Sequence, residues 1–301
     1  MSRGEILAFI ASETTRYGVR RLCRVLGVSK TAFYDWAARD GGPTTQEVAE
    51  AHAAHELHAA WAGHRRVYGA RRLTAEIRDR GHDWARKRVA RLMSVAGIEG
   101  AHRRRRGKRA RASDCPAPAP DRVGRQFTVA EPDRLWVGDI TYLRSWEGFL
   151  YLAVVMDACS RRVVGWAMAT HLRRELVLDA VGMAIFTRKP APGLVHHSDR
   201  GSQYTSYEFG KTLRTSGALA SMGAVGSAYD NAMVESFFAT LNAELVYQRA
   251  WPTRHELEME VFSYIEGFYN PKRRHSRLDN LSPAAYEQLL KEQMTDNEVS
   301  A

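Results

Sequence analysis

Leu135-Trp136-Val137-Gly138-Asp139-Ile140-Thr141-Tyr142-Leu143 sets one aspartate in the middle of an otherwise apolar and β-branched run. Such a run reads as a buried strand. A strand that carries a carboxylate among Trp, Val and Ile needs a reason, because an unpaired buried charge is expensive. Metal coordination is one such reason. Working outward, residues 149–157 and 161–170 give a second and a third strand, joined through Ser145-Trp146-Glu147-Gly148 and Ala158-Cys159-Ser160 as hairpin-type connections. A helix is expected over 173–188, ended by Lys189-Pro190. A strand over 193–198, a helix over 206–216 and a strand over 218–222 follow. Helices are expected over 230–267 and again near 283–292.

Three strands in a meander followed by alternating helices and strands is the order of a ribonuclease-H-like α/β domain, a mixed five-stranded sheet with flanking helices. Two further acids fall where that fold would gather them. Asp199 follows the fourth strand in His196-His197-Ser198-Asp199-Arg200-Gly201-Ser202-Gln203-Tyr204. Glu235 stands early in a helix in Asp230-Asn231-Ala232-Met233-Val234-Glu235-Ser236-Phe237-Phe238. Carboxylates suit Mg²⁺, a hard cation that takes oxygen ligands and keeps several waters. Two such ions, about 3.5–4 Å apart, can clamp the attacking and leaving oxygens of an in-line phosphoryl displacement. The expectation is that Asp139, Asp199 and Glu235 are the catalytic and metal-binding residues, holding two Mg²⁺, with Mn²⁺ as a substitute.

The chain has 301 residues and a net charge of +10, which points to a polyanionic partner. That charge is concentrated: residues 61–125 hold 19 Lys and Arg against 6 Asp and Glu. The most apolar run, residues 149–156, is too short to cross a bilayer, and the first residues lack the apolar core of a signal peptide. A membrane partner is therefore set aside in favour of nucleic acid. Cys23, Cys115 and Cys159 form no CxxC pair, so no zinc ribbon or disulfide framework is supported and a reducing cytoplasm fits.

Ahead of the α/β region the chain reads as all-α. Within residues 1–40, Val19 to Leu26 has helical spacing, Gly27-Val28 breaks it, and Ser29 is placed to cap a second helix with Phe33 and Trp36 inward and Lys30 outward. This is a helix-turn-helix pattern, or equally a plain helical hairpin. A second unit over 46–98 pairs a helix around Arg71 and Arg72 with a densely basic one carrying Arg86, Lys87 and Arg91. Residues 99–125 are a basic, Pro-rich linker with Arg103, Arg104, Arg105 and Arg106, the core spans 126–250, and 251–301 is a C-terminal helical extension. DNA contact is expected from Lys30, Arg71, Arg72, Arg86, Lys87, Arg91 and the linker arginines, and from Arg273 and Arg274 in the basic Arg273-Arg274-His275-Ser276-Arg277 stretch.

His52, His55 and His58 recur at every third position and read as a solvated helical stripe. His197 is expected to orient Asp199 or to pack, Tyr229 to Asn231 to cap the helix of Glu235, and Asp157 to serve a hairpin.

Thirty-five residues separate Asp199 from Glu235, the spacing of DD(35)E transposases and retroviral-type integrases. The words Trp136-x-x-Asp139-Ile140-Thr141-Tyr142, His197-Ser198-Asp199-x-Gly201-x-Gln203-Tyr204 and Asp230-Asn231-Ala232-x-x-Glu235-Ser236-Phe237-Phe238 resemble the second-reading-frame transposase of the insertion-sequence-three (IS-three) family. So do Tyr68-Gly69-x-Arg71-Arg72, Tyr269-Asn270-x-x-Arg273-Arg274-His275-Ser276-x-Leu278 and Ser282-Pro283. The resemblance implies a transposase that cleaves the terminal inverted repeats of its own element and transfers the freed strand. It also implies a homo-oligomer on double-stranded DNA, element ends and target, in the bacterial cytoplasm at the nucleoid. Fusion to, or complex with, an upstream reading-frame product is a further expectation. One position departs: many relatives carry Lys or Arg seven residues after the glutamate, where this chain has Asn242, expected to reach DNA without the charge. The competing readings are a catalytically silent DNA-binding protein and a ribonuclease-H-like nuclease.

Overall fold

In the computed structural model, the structure describes residues 2–39, 42–102, 119–124, 126–199, 201, 203–223 and 232–299. Six helices precede the sheet: α1 (Arg3–Tyr17), α2 (Val19–Val25), α3 (Lys30–Ala37), α4 (Thr45–Gly63), α5 (Ala70–Asp79) and α6 (Arg86–Val95). The α/β region then runs β1 (Leu135–Ser145), β2 (Gly148–Asp157), β3 (Val163–Ala169), α7 (Arg174–Arg188), β4 (Val195–Ser198), α8 (Tyr207–Thr215) and β5 (Leu219–Met222). It closes with α9 (Ala232–Glu244), α10 (Arg254–Tyr264) and α11 (Pro283–Val299).

The sheet order is β3-β2-β1-β4-β5. β1, β2 and β3 pair antiparallel, while β4 joins β1 and β5 joins β4 in parallel. This is the mixed five-stranded ribonuclease-H-like sheet expected from the element order. Its two faces are both covered, so the inner strands read as continuous apolar runs rather than alternating ones. Trp136, Ala153 and Val155 face a core built with Leu176, Val181 and Phe209, on the α7 and α8 side. Val137, Leu152, Val154 and Met156 face the other core, with Val234, Phe237, Leu241 and Tyr264. The alternation by strict twos along β1 and β2 is the pleat itself. On the first side α7 lies close enough to β3 that a side chain on Gly165 would begin 2.2 Å from the Ala180 carbonyl oxygen.

The first helices make their own small core from Leu7, Ile10, Leu22, Cys23 and Phe33. As expected, a left-handed Gly27 (φ 68°) turns the chain and Ser29 caps α3 by accepting from Ala32 N at 3.1 Å. The second helical unit does not close on itself. Leu57, Tyr68, Leu73, Ile77, Val89 and Leu92 join the same apolar cluster as β1, β2, α9 and α10. Residues 251–299 likewise fold back: Glu287 of α11 accepts from Arg162, Arg188 and Ser160 beneath the β2–β3 turn. Asp157 is fully buried in that turn and accepts from the Asp133 and Ser160 backbone amides, a hairpin role.

Candidate active site

Asp139 occupies a half-buried position in β1, opposite Val154 of β2. The parallel pairing of β1 with β4 ends at Gly138↔Ser198, so the next residues along the two strands are Asp139 and Asp199. Parallel register thus sets two aspartates side by side where the β1–β4 pairing ends, from residues 60 positions apart in sequence. Backbone amides orient both. Asp139 Oδ1 accepts from Ile140 N at 2.7 Å and the exposed Asp199 accepts through Oδ1 from Gly201 N at 2.9 Å.

On the other face of β1, at Gly138, lies a buried aromatic layer. The His196 ring packs against Gly138, whose missing side chain makes the room: a Cβ there would stand 2.9 Å from His196 Cε1 and Nε2. Tyr204 and Phe209 flank the same ring, with centroids 6.3 and 5.3 Å away. Burial first, then the charge of His197, pushes the His196 imidazole down to about 4, so it is neutral near pH 7. Burial also raises the Tyr204 phenol well above its ordinary value, and the negative charges of Asp139 and Asp199 add to the rise. One tyrosine therefore feels both aspartates.

Glu235 sits half-buried in the first turn of α9, the helix that packs on β1. Strand register brings Asp139 and Asp199 together, and Glu235 enters from α9; among the described residues no group of three or more His, Cys, Asp or Glu is placed to hold a metal. Residues 224–231, with the expected Tyr229–Asn231 cap, lie outside the described residues, as do Arg103, Arg104, Arg105 and Arg106. His197 is packed in place: its Nδ1 lies 3.0 Å from Ser221 Oγ and its ring meets Phe127 edge-on. His52, His55 and His58 are exposed on α4.

The basic residues divide sharply. Lys30 on α3, Arg71 on α5, and Arg86 and Lys87 on α6 are exposed. Arg91 is exposed too but forks onto Glu50 at 2.5 and 3.0 Å. Four others expected at DNA are placed differently, held within the protein or buried. Arg273 is 3% exposed and clasps Glu244 through Nε and an Nη at 2.7 and 2.6 Å. Burial alone would lower its pKa, yet the bonds to Glu244 hold it well above the ordinary arginine value. Arg72 bonds Glu244 at 3.3 Å and the Arg274 carbonyl at 3.0 Å. Arg274 bonds Glu76 and Asp79 of α5. Asn242, the departure from the family pattern, is 8% exposed, at the far end of α9 from Glu235.

Arg72 and Arg274 are bolts between the second helical unit and the core, and Arg273 shares the Glu244 carboxylate with Arg72. Glu244 is their hub, also accepting from the Tyr264 hydroxyl at 2.8 Å, and Tyr68 adds a bond from its hydroxyl to the Lys272 carbonyl at 3.1 Å. Asn270 has an equally structural part. Its amide pairs with Val163 N and O at 3.0 and 2.9 Å, filling a strand's place beside the edge strand β3. The sequence signal for Glu244 was an acid closing a helix whose one other charged residue is Glu235. For Asn270 there was none.

Known proteins carry the same parts in the same order. An HTH-like domain matches residues 47–106, and an integrase core domain matches residues 129–228 and, in a second model, 235–289. The chain is 39% identical over 245 residues to the transposase for insertion sequence element IS904 of Lactococcus lactis, covering 81% of this chain and 97% of that one. It is 37% identical over 289 residues to the transposase InsF for insertion sequence IS3A of Escherichia coli, covering 93% and 97%. Among solved structures, it is similar to a chain of the simian T-cell lymphotropic virus intasome (13% identity, TM-score 0.45, 73% of this chain and 70% of that one). It is also similar to the HTLV-2 integrase catalytic core domain in complex with magnesium (17% identity, TM-score 0.40, 52% and 97%). With an integrase core behind an HTH-like domain and relatives matched almost end to end, the chain belongs to the IS3 family of insertion-sequence transposases.

Proposed function

We propose that this transposase cleaves DNA at the terminal inverted repeats of its own element and joins the freed 3′ ends to target DNA. Asp139, Asp199 and Glu235 are the catalytic carboxylates. The observation that carries the reading is the placement of Asp139 and Asp199 on adjacent parallel strands, with Glu235 on the helix packed against β1. The donor set fits a hard divalent cation, because the two aspartates present only oxygens and the neighbouring imidazoles are turned elsewhere, His197 to Ser221 and His196 against Gly138. Asp139 on the rigid central strand, Asp199 and Glu235 would together hold two Mg²⁺, or Mn²⁺ in their place. Such ions, when bound, acidify a water or 3′-hydroxyl nucleophile and neutralise the charge gathering on the phosphate.

The chain's own residues supply rigidity and position. β1 and β4 fix the two aspartates, while the buried His196–Tyr204–Phe209 layer packs the other face of β1 at Gly138. A neutral His196 adds no cation that would compete for the aspartates. α6 offers Arg86 and Lys87 to a DNA groove, and the bolts through Glu244 hold that module in fixed relation to the carboxylates. The active species is a homo-oligomer on double-stranded DNA, with or without an upstream-frame partner.

The test uses the full chain, Mg²⁺ and labelled duplexes ending in the element's repeats with a recessed 3′-hydroxyl. Joined products are expected from these ends, and none from the same ends carrying a 3′-deoxy nucleotide. Joining by the 3′-deoxy ends would overturn strand transfer.

A further inference from the structure

A cleft of about 430 Å³ opens between the N-terminal half of α9 and the 273–277 segment. Ser236, the neighbour of Glu235, lines it, so the cleft begins one residue from the proposed catalytic carboxylate. Four arginines converge on it: Arg72, Arg161, Arg273 and Arg277. Arg72 and Arg273 share the one carboxylate of Glu244. Arg161 and Arg277 are different. Neither guanidinium makes an ion pair or hydrogen bond among the described residues. Asp157, the acid nearest in charge to Arg161, is already committed to two backbone amides and the Ser160 hydroxyl.

Four guanidinium charges against one shared carboxylate leave a strong positive excess in a half-enclosed space. Its signature appears on the groups around it. His275 is pushed down to about 2, by burial first and then by Arg273, Arg72 and Arg161. Burial, and next the repulsion of Arg277, also lower the Arg161 pKa. Two like charges held together without a counter-ion are destabilising unless an anion is to fill the place. Arg161 is held there by its own backbone, in a left-handed conformation (φ 62°) at the β2–β3 turn that Asp157 and Glu287 brace.

We propose that this cleft binds one backbone phosphate of the DNA, gripped between Arg161 and Arg277, in the strand whose neighbouring phosphate is presented to the carboxylates. The assignment rests on the DNA-cleaving reading of the site. Arginine is the side chain whose planar fork matches a phosphate, and contacts of this kind fix register without reading bases. Ala232, Met233, Ser236 and Thr240 of α9 line the cleft, so a phosphate held there would set the strand along the helix that carries Glu235.

The experiment measures binding of the full chain to a fluorescent duplex of fixed length across a salt series, for the parent, Arg161→Gln, Arg277→Gln and the pair. One lost phosphate contact lowers the slope of log affinity against log salt by about 0.9. Each single variant is expected to show that drop, and the pair no more than a single one, because both hold the same phosphate. Arg277 is exposed, so Arg277→Gln keeps the fold even if Arg161→Gln does not. Unchanged slopes in folded variants would overturn the proposal. A melting midpoint raised by inorganic phosphate in the parent but not in the pair, with DNA slopes unchanged, would assign the cleft to a small anion and overturn it equally. Slopes are read without metal and without turnover, so failure of the carboxylate reading would appear separately, as cleavage surviving in Glu235→Gln.

Discussion

Glu244→Gln removes one charge from the hub that joins the second helical unit to the core, and nothing else of size or shape. Glu244 is 6% exposed and accepts two bonds from Arg273, one from Arg72 and one from Tyr264. Arg273, itself 3% exposed, would keep a buried charge with no carboxylate against it. Breaking one side of a buried pair costs about 3–5 kcal/mol. At about 2 °C per kcal/mol for a chain of this size, the melting midpoint should fall by about 6–10 °C. Glu260→Gln is the matched control: its partner Arg65 lies 2.7 Å away, but the pair is partly solvated, and such pairs contribute about 0–1 kcal/mol. Arg273→Met should cost less in the Glu244→Gln background than alone, since the two residues act as one unit. A Glu244→Gln midpoint within about 1 °C of the parent, or a loss no greater than that of Glu260→Gln, would refute the bolt.

Gly165→Ala should destabilise by about 1–3 kcal/mol in a urea melt, because its Cβ would begin 2.2 Å from the Ala180 carbonyl and backbone must move; an unchanged midpoint would contradict the close α7–β3 packing. His196 binds a proton near pH 6.5 when unfolded and only near 4 when folded. Below pH 6.5 the unfolded chain therefore takes up the proton first, and stability should fall with pH until about 4, by about 3 kcal/mol in all. His196→Phe should flatten that part of the profile, leaving the contribution of the similarly depressed His275; an identical slope between pH 6.5 and 4 would exclude His196 as its source.

The sheet was legible because its strands are marked twice, by β-branched apolar runs and by the Gly and Pro punctuation between them. Asp139 and Asp199 could be read as neighbours from element order alone, since a parallel β1–β4 pairing brings the middle of one strand to the end of the other. The destination of an arginine could not. Arg86 and Arg273 look alike in sequence, yet one is exposed on α6 and the other is buried on Glu244, a residue 29 positions away. Burial of a charge depends on which distant helix supplies its partner, and no local period records that. The burial of Asn242 was hidden for the same reason: it depends on the chain that packs beside α9, not on α9 itself. Arg161 escaped notice because it lies in a turn, where one basic residue has no pattern around it.

The central claim is that Asp139, Asp199 and Glu235 act as one site, and Glu235 tests it most directly because it comes from a helix rather than from the paired strands that set the aspartates. The direct measurement is the single-turnover cleavage rate of Glu235→Gln against the parent, at saturating Mg²⁺ and repeat-end DNA, with Asp139→Asn and Asp199→Asn alongside. Each variant is expected to bind DNA as the parent does and to lose cleavage by at least about a thousandfold, as removal of a residue acting in a catalytic unit does. A Glu235→Gln enzyme that cleaves within about tenfold of the parent rate would contradict the three-carboxylate site.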